Sequence, residues 1–249
     1  MPSFKFQNAI MNITKEITIG QLVKDDYRTA QVFQQHGLDF CCGGNRTIKE
    51  ACENKAVNPD EIFRALDQLK TSGVKEDNYD QWSLDFLVDY IINNHHEFTR
   101  NKLPEIGKYA KKVAAVHGER HEELKEIYYE FTMLHTEIFN HLDKEERILF
   151  PYIKELVEAK KEGVKPEKPE FGEAANPIAM MEDEHDEAGD SMAKIRKLSD
   201  DFTPPNDACT TYRLLYENLE GFEKDLHKHV HLENNILFPK ALELEKQLN

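Results

Sequence analysis

HLDKEERILFP at 141–151 and HVHLENNILFP at 229–239 decide how this 249-residue chain is read. The two stretches agree at six of eleven positions: the leading His, the Glu four later, and the closing Ile-Leu-Phe-Pro. They stand 88 residues apart, and the match extends upstream, because His96 precedes His141 by 45 residues and His185 precedes His229 by 44. Residues four apart on a helix share a face, one turn from each other. His141 with Glu145, and His229 with Glu233, can therefore each aim an imidazole and a carboxylate at one interior point. A helical hairpin brings His96 and His185 to the same level. Two halves related by a pseudo-twofold axis then converge His96, His141, Glu145, His185, His229 and Glu233. Two carboxylates can bridge two metals and two imidazoles can cap each. Such a nitrogen and oxygen set suits iron better than Mg²⁺ or a thiolate-seeking metal. Buried unpaired His and Glu are costly, so a metal is the best way to satisfy them. A single His-x-x-x-Glu is more often a surface pair worth a few tenths of a kcal/mol; the duplication and the upstream histidines separate this case from that one. The Ile-Leu-Phe-Pro segments read as core packing and a helix kink.

Outward from the repeat, helical periodicity dominates and strand-like alternation is nearly absent, so the chain reads as all-α. Four long helices are expected: about 83–115 with a kink at Pro104, 119–159 with Pro151 near its end, 176–199 opened by Asn176 and Pro177, and one from Asp207 onward. The Lys-, Gly- and Pro-rich stretch 160–176 is a loop. Together, 83–249 read as an antiparallel four-helix bundle. The polar stretch TSGVKEDNYDQ at 71–81 reads as a linker. Before it, 13–73 read as a small helical domain: a first helix opened by Thr18 or Asp25 and stopped by Gly37, the tight turn LDFCCGGN at 38–45, and helices near 47–54 and 59–71. The last is capped by Asn58 with Pro59 in its first position. Residues 1–12 read as a frayed extension. A unit of this size is near the lower limit for folding alone, which leaves room for a homodimer.

Lys and Arg total 32 against 47 Asp and Glu, a net charge of −15. Such a surface repels nucleic-acid phosphates and anionic lipid. No apolar run approaches a membrane span, and MPSFKFQNAIMNITKEITIG at 1–20 lacks the pattern of a secretory signal, so a cytoplasmic location is expected. In that reducing compartment Cys41, Cys42, Cys52 and Cys209 are thiols or ligands rather than bridges. Gly43 and Gly44 permit a tight turn before a helix starting near Asn45 or Thr47. That placement predicts lowered thiol pKa values and makes Cys41 and Cys42 a candidate for metal or nitrosyl capture, or for thiol exchange, with His36 placed to assist. The competing reading makes one of the pair core packing. Cys52 and Cys209 read as structural. Among the other histidines, His95 reads as solvent-facing, His227 and His231 as surface residues or neighbours of the ligands, His135 as a boundary residue, and His117 with His121 as a polar turn, His117 within reach of the cavity mouth. Glu137, Glu184 and Asp225 lie on or beside the ligand face. They read either as partners of the ligand imidazoles and proton carriers or as ordinary solvated acids.

Four segments carry a family resemblance: LDFCCGG at 38–44, LHTEIFNHLDKEERILFP at 134–151, MEDEHDEAGD at 181–190 and HVHLENNILFP at 229–239. The C-terminal region resembles the hemerythrin-like di-iron domain. The chain over about 15–245 resembles the iron–sulfur cluster repair di-iron proteins, the repair of iron centres family. The resemblance implies two iron ions bound by His96, His141, His185 and His229 and bridged by Glu145 and Glu233, in an oxo- and carboxylate-bridged di-iron centre. It implies repair of iron–sulfur clusters damaged by oxidative or nitrosative stress, with damaged iron–sulfur proteins as partners. Iron donation, with Cys41 and Cys42 receiving the ion, is the mechanism this suggests. Oxygen-carrying hemerythrins use a fifth His for which the repeat offers no counterpart, which argues against a simple oxygen carrier. Two other functions remain open on these residues: reduction or scavenging of nitric oxide, with Glu137, Glu184 or Asp225 supplying protons, and sensing of oxygen or iron.

Overall fold

The computed structural model describes residues 13–69 and 79–249. The chain divides into two units, 1–78 and 79–249. The expected frayed extension at 1–12 and most of the expected linker, 71–78, lie outside the described residues. Each described element is helical, and one isolated antiparallel bridge joins Thr18 to Thr47.

The first unit contains α1 (Ile19–Asp25), α2 (Thr29–Gln35), α3 (Ile48–Lys55) and α4 (Pro59–Leu69). Thr18 opens α1, its hydroxyl accepting the Gln21 N–H at 3.3 Å. The single helix expected as far as His36 is instead two. Asp26 turns extended, at φ −154°, and its carboxylate takes both the backbone N–H and the guanidinium of Arg28. This local competition for the backbone is what short acidic side chains do in turns. Gly37 ends α2 at φ +66°, a conformation that strains any L side chain. Thr47 and Glu50 form a capping box at the start of α3, and Asn58 Oδ1 accepts the Asp60 N–H at the start of α4. Ile19, Leu22, Phe33, Ile48, Ile62 and Leu66 form the buried core, joined by Cys52. The Gly20 N–H donates to the Gly44 carbonyl at 2.8 Å and the Ile19 N–H to that of Arg46 at 3.0 Å. The buried α1 thereby fixes the exit of the Cys41–Cys42 loop.

The second unit contains α5 (Leu84–Tyr90), α6 (Glu97–His117), α7 (Glu123–Lys144), α8 (Phe150–Glu162), α9 (Ala175–Leu198), α10 (Thr210–Leu232) and α11 (Phe238–Leu248). Three wide π-helical turns make longer arms of these: Ile91–His96 joins α5 to α6, Glu145–Leu149 joins α7 to α8, and Glu233–Leu237 joins α10 to α11. α6 packs against α7 and α10, and α7 also against α9, which gives the four-helix bundle. The short turn at 118–122 makes α6 and α7 antiparallel. α7 starts at Glu123 rather than 119, and α10 at Thr210 rather than 207. α6 runs through Pro104 without interruption.

The two prolines of the repeat have a local consequence. Pro151 and Pro239 supply no N–H and crowd the carbonyl four residues back. Just before them, the Phe150 N–H reaches five residues back to the Glu145 carbonyl, and the Phe238 N–H reaches Glu233 in the same way. π-turns of this kind cluster at functional sites, and here each begins on a repeat glutamate. Beyond them α8 packs against α5 and α11, around Leu87, Ile91, Ile153, Leu237 and Phe238. Among the described residues, no helix is long and apolar enough to cross a membrane.

Candidate metal centre

The six residues singled out by the repeat meet inside the bundle. His96 comes from the end of the first π-turn, His141 and Glu145 from the junction of α7 with the second, His185 from α9, and His229 and Glu233 from the junction of α10 with the third. All six are buried, Glu145 and Glu233 completely. They form two overlapping groups that share both carboxylates: His96, Glu145, His229 and Glu233 in one, and His141, Glu145, His185 and Glu233 in the other. In each group the potential ligand atoms lie within 4.8 Å of one another. The Nε2 atoms of His96 and His229 are 3.1 Å apart, and those of His141 and His185 are 3.0 Å apart. Glu145 Oε2 stands 3.4 Å from His96 and 3.3 Å from His141. Glu233 Oε1 stands 2.9 Å from His229, and its Oε2 stands 3.2 Å from His185.

Burial works against charge on His96, yet the hydrogen bonds and charges of Glu145 and Glu233 outweigh it and raise its pKa to about 10. His141 is raised to about 10 against the same burial penalty, by Glu145, Glu184 and Glu233. Burial and the charge of Glu233 oppose ionisation of Glu145, but His141 and His96 bring it down to about 2. Burial dominates at His229 and lowers its pKa. The cluster alone is thus an interior ionic group of two carboxylates and two imidazolium rings. Both oxygens of Glu145 and Oε2 of Glu233 are nevertheless buried without a hydrogen bond of proper geometry. Buried carboxylate oxygens without such partners are expensive. Cations between the two carboxylates would satisfy them, so the donor set fits a pair of transition-metal ions.

A surrounding layer orients the imidazoles. His96 Nδ1 lies 2.8 Å from Glu146 Oε1, which Arg100 also holds. His141 Nδ1 lies 2.9 Å from Glu184 Oε2, which Lys144 pairs with. His185 Nδ1 lies 2.8 Å from Asn234 Oδ1. Phe150 stacks on His96 with ring centres 5.5 Å apart, and Phe238 on His185 at 6.1 Å. The Phe of each Ile-Leu-Phe-Pro therefore does more than fill the core. Sequence reasoning missed Glu146 and Asn234, although both directly follow a repeat glutamate and carry an acceptor. A cavity of about 160 Å³ reaches His141, His185 and His229 past Glu137, Lys144, Glu184 and Glu187. Of the three acids flagged in the sequence, Glu184 bonds a ligand-candidate imidazole, Glu137 lines the cavity, and Asp225 bonds His95 at 2.9 Å.

Several histidines sit elsewhere than expected. His95 does not face solvent: it is buried and stacked against His229, 5.6 Å between ring centres and 5° between planes. The tilt of the π-turn carries it inward beside His96. His231 is fully buried, which removes the surface alternative for it, with Nδ1 3.2 Å from Asn235 Nδ2. His117 is not at the cavity mouth; its Nε2 lies 3.2 Å from Cys209 Sγ. Cys209 is exposed at the start of α10 rather than packed in a core. His121 pairs with Asp207 and Glu123 in the turn region, as a polar turn residue would.

In the first unit, the Asp39 carboxylate organises the cysteine loop. It accepts the N–H groups of Cys41, Cys42 and Gly43 at 3.0, 3.0 and 2.9 Å, and Cys41 Sγ lies 3.2 Å from Oδ1. A Cβ on Gly43 would come within 2.8 Å of the Asp39 carbonyl, so the loop requires glycine there. Asp39, Cys41 and Cys42 form a third group with metal-ligand geometry. The expected lowering of the thiol pKa is overturned at Cys41. The hydrogen bond with Cys42, burial, and the charges of Cys42 and Asp39 raise it well above its ordinary value. The helix that follows is capped by Thr47, not by the cysteines. His36 Nδ1 is engaged by the Val32 carbonyl at 2.8 Å.

Comparison with known proteins matches one family model within each unit. The family model for the hemerythrin HHE cation binding domain matches residues 87–241, and a model described as a domain of unknown function (ScdA_N) matches 15–70. The iron-sulfur cluster repair protein YtfE of Enterobacter sp. (strain 638) is 37% identical over 224 residues, covering 90% of this chain and 96% of the relative. That of Dickeya chrysanthemi (strain Ech1591) is 36% identical over 228 residues, covering 92% and 97%. That of Yersinia pestis (strain Pestoides F) is 36% identical over 225 residues, covering 90% and 96%. With both segments matched and nine-tenths of its length aligned, the chain belongs to the YtfE family of iron-sulfur cluster repair proteins, built on a hemerythrin HHE domain.

Proposed function

We propose that this protein holds two iron ions and donates iron for the repair of iron–sulfur clusters damaged by oxidative or nitrosative stress. One observation carries the reading: two buried groups of ligand atoms share Glu145 and Glu233, three of whose four carboxylate oxygens lack hydrogen-bond partners in the protein. His96 and His229 would hold one ion, His141 and His185 the other, and the two glutamates would bridge them. A bound iron pair supplies one-electron redox capacity and exchangeable coordination positions. The protein's own part is to keep the ligand rings oriented through Glu146, Glu184 and Asn234 and to release the protons that metal displaces. His96 and His141 must lose theirs before they can bind. Damaged iron–sulfur proteins are the targets that the names of the relatives indicate. The Cys41–Cys42 loop is the receiving point for a departing ion, because Asp39 and both thiols already have metal-ligand spacing; the raised pKa of Cys41 means that the metal must displace a proton there.

Iron analysis with Mössbauer spectroscopy tests the centre: two coupled ferric ions per chain support it, and a single zinc overturns it. Transfer to an apo-ferredoxin tests donation. A chain with Cys41→Ser and Cys42→Ser that delivers iron as fast as the parent removes the loop from the path. A second reading, reduction of nitric oxide, draws on the cavity, which reaches three of the ligand-candidate rings past Glu137 and Glu184. Steady turnover to nitrous oxide, abolished by His141→Ala, supports it; stoichiometric nitrosylation without turnover counts against it.

A further inference from the structure

Among the residues that contact the metal-ligand candidates, the pseudo-twofold pairing of the second unit is broken at two places. His96 matches His185, His141 matches His229, Glu145 matches Glu233, and Phe150 matches Phe238. Where one half has Glu146 the other has Asn234, and where one half has Glu184 the other has His95. A carboxylate accepting the outer N–H of a ligand imidazole makes the ring a stronger base and a stronger ligand. His96 has such a carboxylate in Glu146, His141 has one in Glu184, and His185 has the neutral amide of Asn234. His229 Nδ1 has no hydrogen-bond partner among the described residues. The residue corresponding to Glu184 is here His95, which lies flat on the His229 ring and is held there by Asp225 at 2.9 Å. A ring stacked face to face cannot accept an in-plane N–H. Access does not separate the two positions, because the cavity touches His229 as well as His141 and His185.

We propose that the two metal positions are unequal, that the ion held by His96 and His229 is the readily exchanged one, and that His95 is the positioning residue that makes it so. The inference rests on the di-iron reading above. The test is release of iron from the reduced, fully loaded chain to a ferrous chelator, with Mössbauer spectra of the ⁵⁷Fe that remains. The parent is expected to release its ions in two phases of equal amplitude. His95→Glu restores the missing carboxylate and should slow the fast phase about tenfold or more, the usual reach of such partners, while the slow phase holds. Asn234→Glu acts on His185 and should slow the slow phase alone. Asp225→Asn frees the His95 ring to tilt out of the stack and accept the His229 N–H, and should slow only the fast phase, which keeps the idea testable if His95→Glu does not fold. Slower release is a gain that mere structural damage would not produce. A single release phase in the parent, or a fast phase that follows Asn234→Glu and ignores both His95→Glu and Asp225→Asn, overturns the proposal. A parent chain that binds no iron fails the di-iron reading instead.

Discussion

The Cys41–Cys42 loop and the histidine–glutamate cluster both gather metal-ligand side chains, yet their electrostatics run in opposite directions. In the loop, a carboxylate and two thiols crowd together, and the hydrogen bond with Cys42, burial and the charge of Asp39 hold Cys41 protonated. In the cluster, carboxylates face imidazoles: Glu145 and Glu233 favour the charged forms of His96 and His141, and these rings favour the charged form of Glu145. The scaffolds differ as well. The loop hangs on backbone N–H groups gathered by Asp39, whereas the cluster is set by long helices and their π-turns. A preformed site on rigid elements suits storage, and a compact loop whose thiols must give up a proton suits transient capture.

That contrast can be broken in several ways. The largest effect is expected from Glu145→Ala or Glu233→Ala, since each residue belongs to both ligand groups: iron content should fall to less than half the parent's by metal analysis. Cys41→Ser with Cys42→Ser should leave iron retained by the second unit unchanged. Removing one outer partner is milder. Glu184→Gln or Glu146→Gln should weaken iron binding by about 10–100-fold in a chelator competition, and an affinity equal to the parent's would detach these carboxylates from the centre.

Next comes the loop. Cys42→Ser removes the largest cause of the raised Cys41 pKa and one neighbouring charge. Alkylation of Cys41 at neutral pH should then accelerate, because the thiolate is the reacting form. Asp39→Asn should accelerate it less, because the Asp39 contributions rank lower.

The smallest effect is the pH dependence of the metal-free chain. His96 and His141 have folded pKa values of about 10 against the ordinary 6.5, so the stability they contribute is complete below pH 6.5 and is lost as pH rises through 10. Glu145, at about 2 against 4.5, contributes above pH 4.5 and loses its share as pH falls through 2. Thermal unfolding of the metal-free chain should therefore peak between pH 4.5 and 6.5 and drop by several degrees toward pH 10. The iron-loaded chain should show the opposite slope between pH 6.5 and 10, because protons compete with metal for the rings. A flat profile in the metal-free chain would mean that the imidazole–carboxylate contacts do not persist in solution.

The amino-acid sequence by itself determined the all-α class, the duplicated half-sites and the six residues that converge, because helical spacing of four and a repeat offset of 88 are properties of the chain alone. It also supplied the Asn58 cap and the Gly37 stop, which are set by local hydrogen bonding and by φ. Tertiary structure decided what surrounds those six. The inward turn of His95, the burial of His231 and the pairing of Glu146, Glu184 and Asn234 with particular rings depend on π-turns and on contacts between helices far apart in the chain. A regular 100° step per residue places His95 away from His96; a π-turn changes that step, and no regular helical pattern reports it. The raised pKa of Cys41 has a related origin: it comes first from the hydrogen bond with Cys42 and from burial, with Asp39 adding to them, a matter of three-dimensional proximity rather than of residue type.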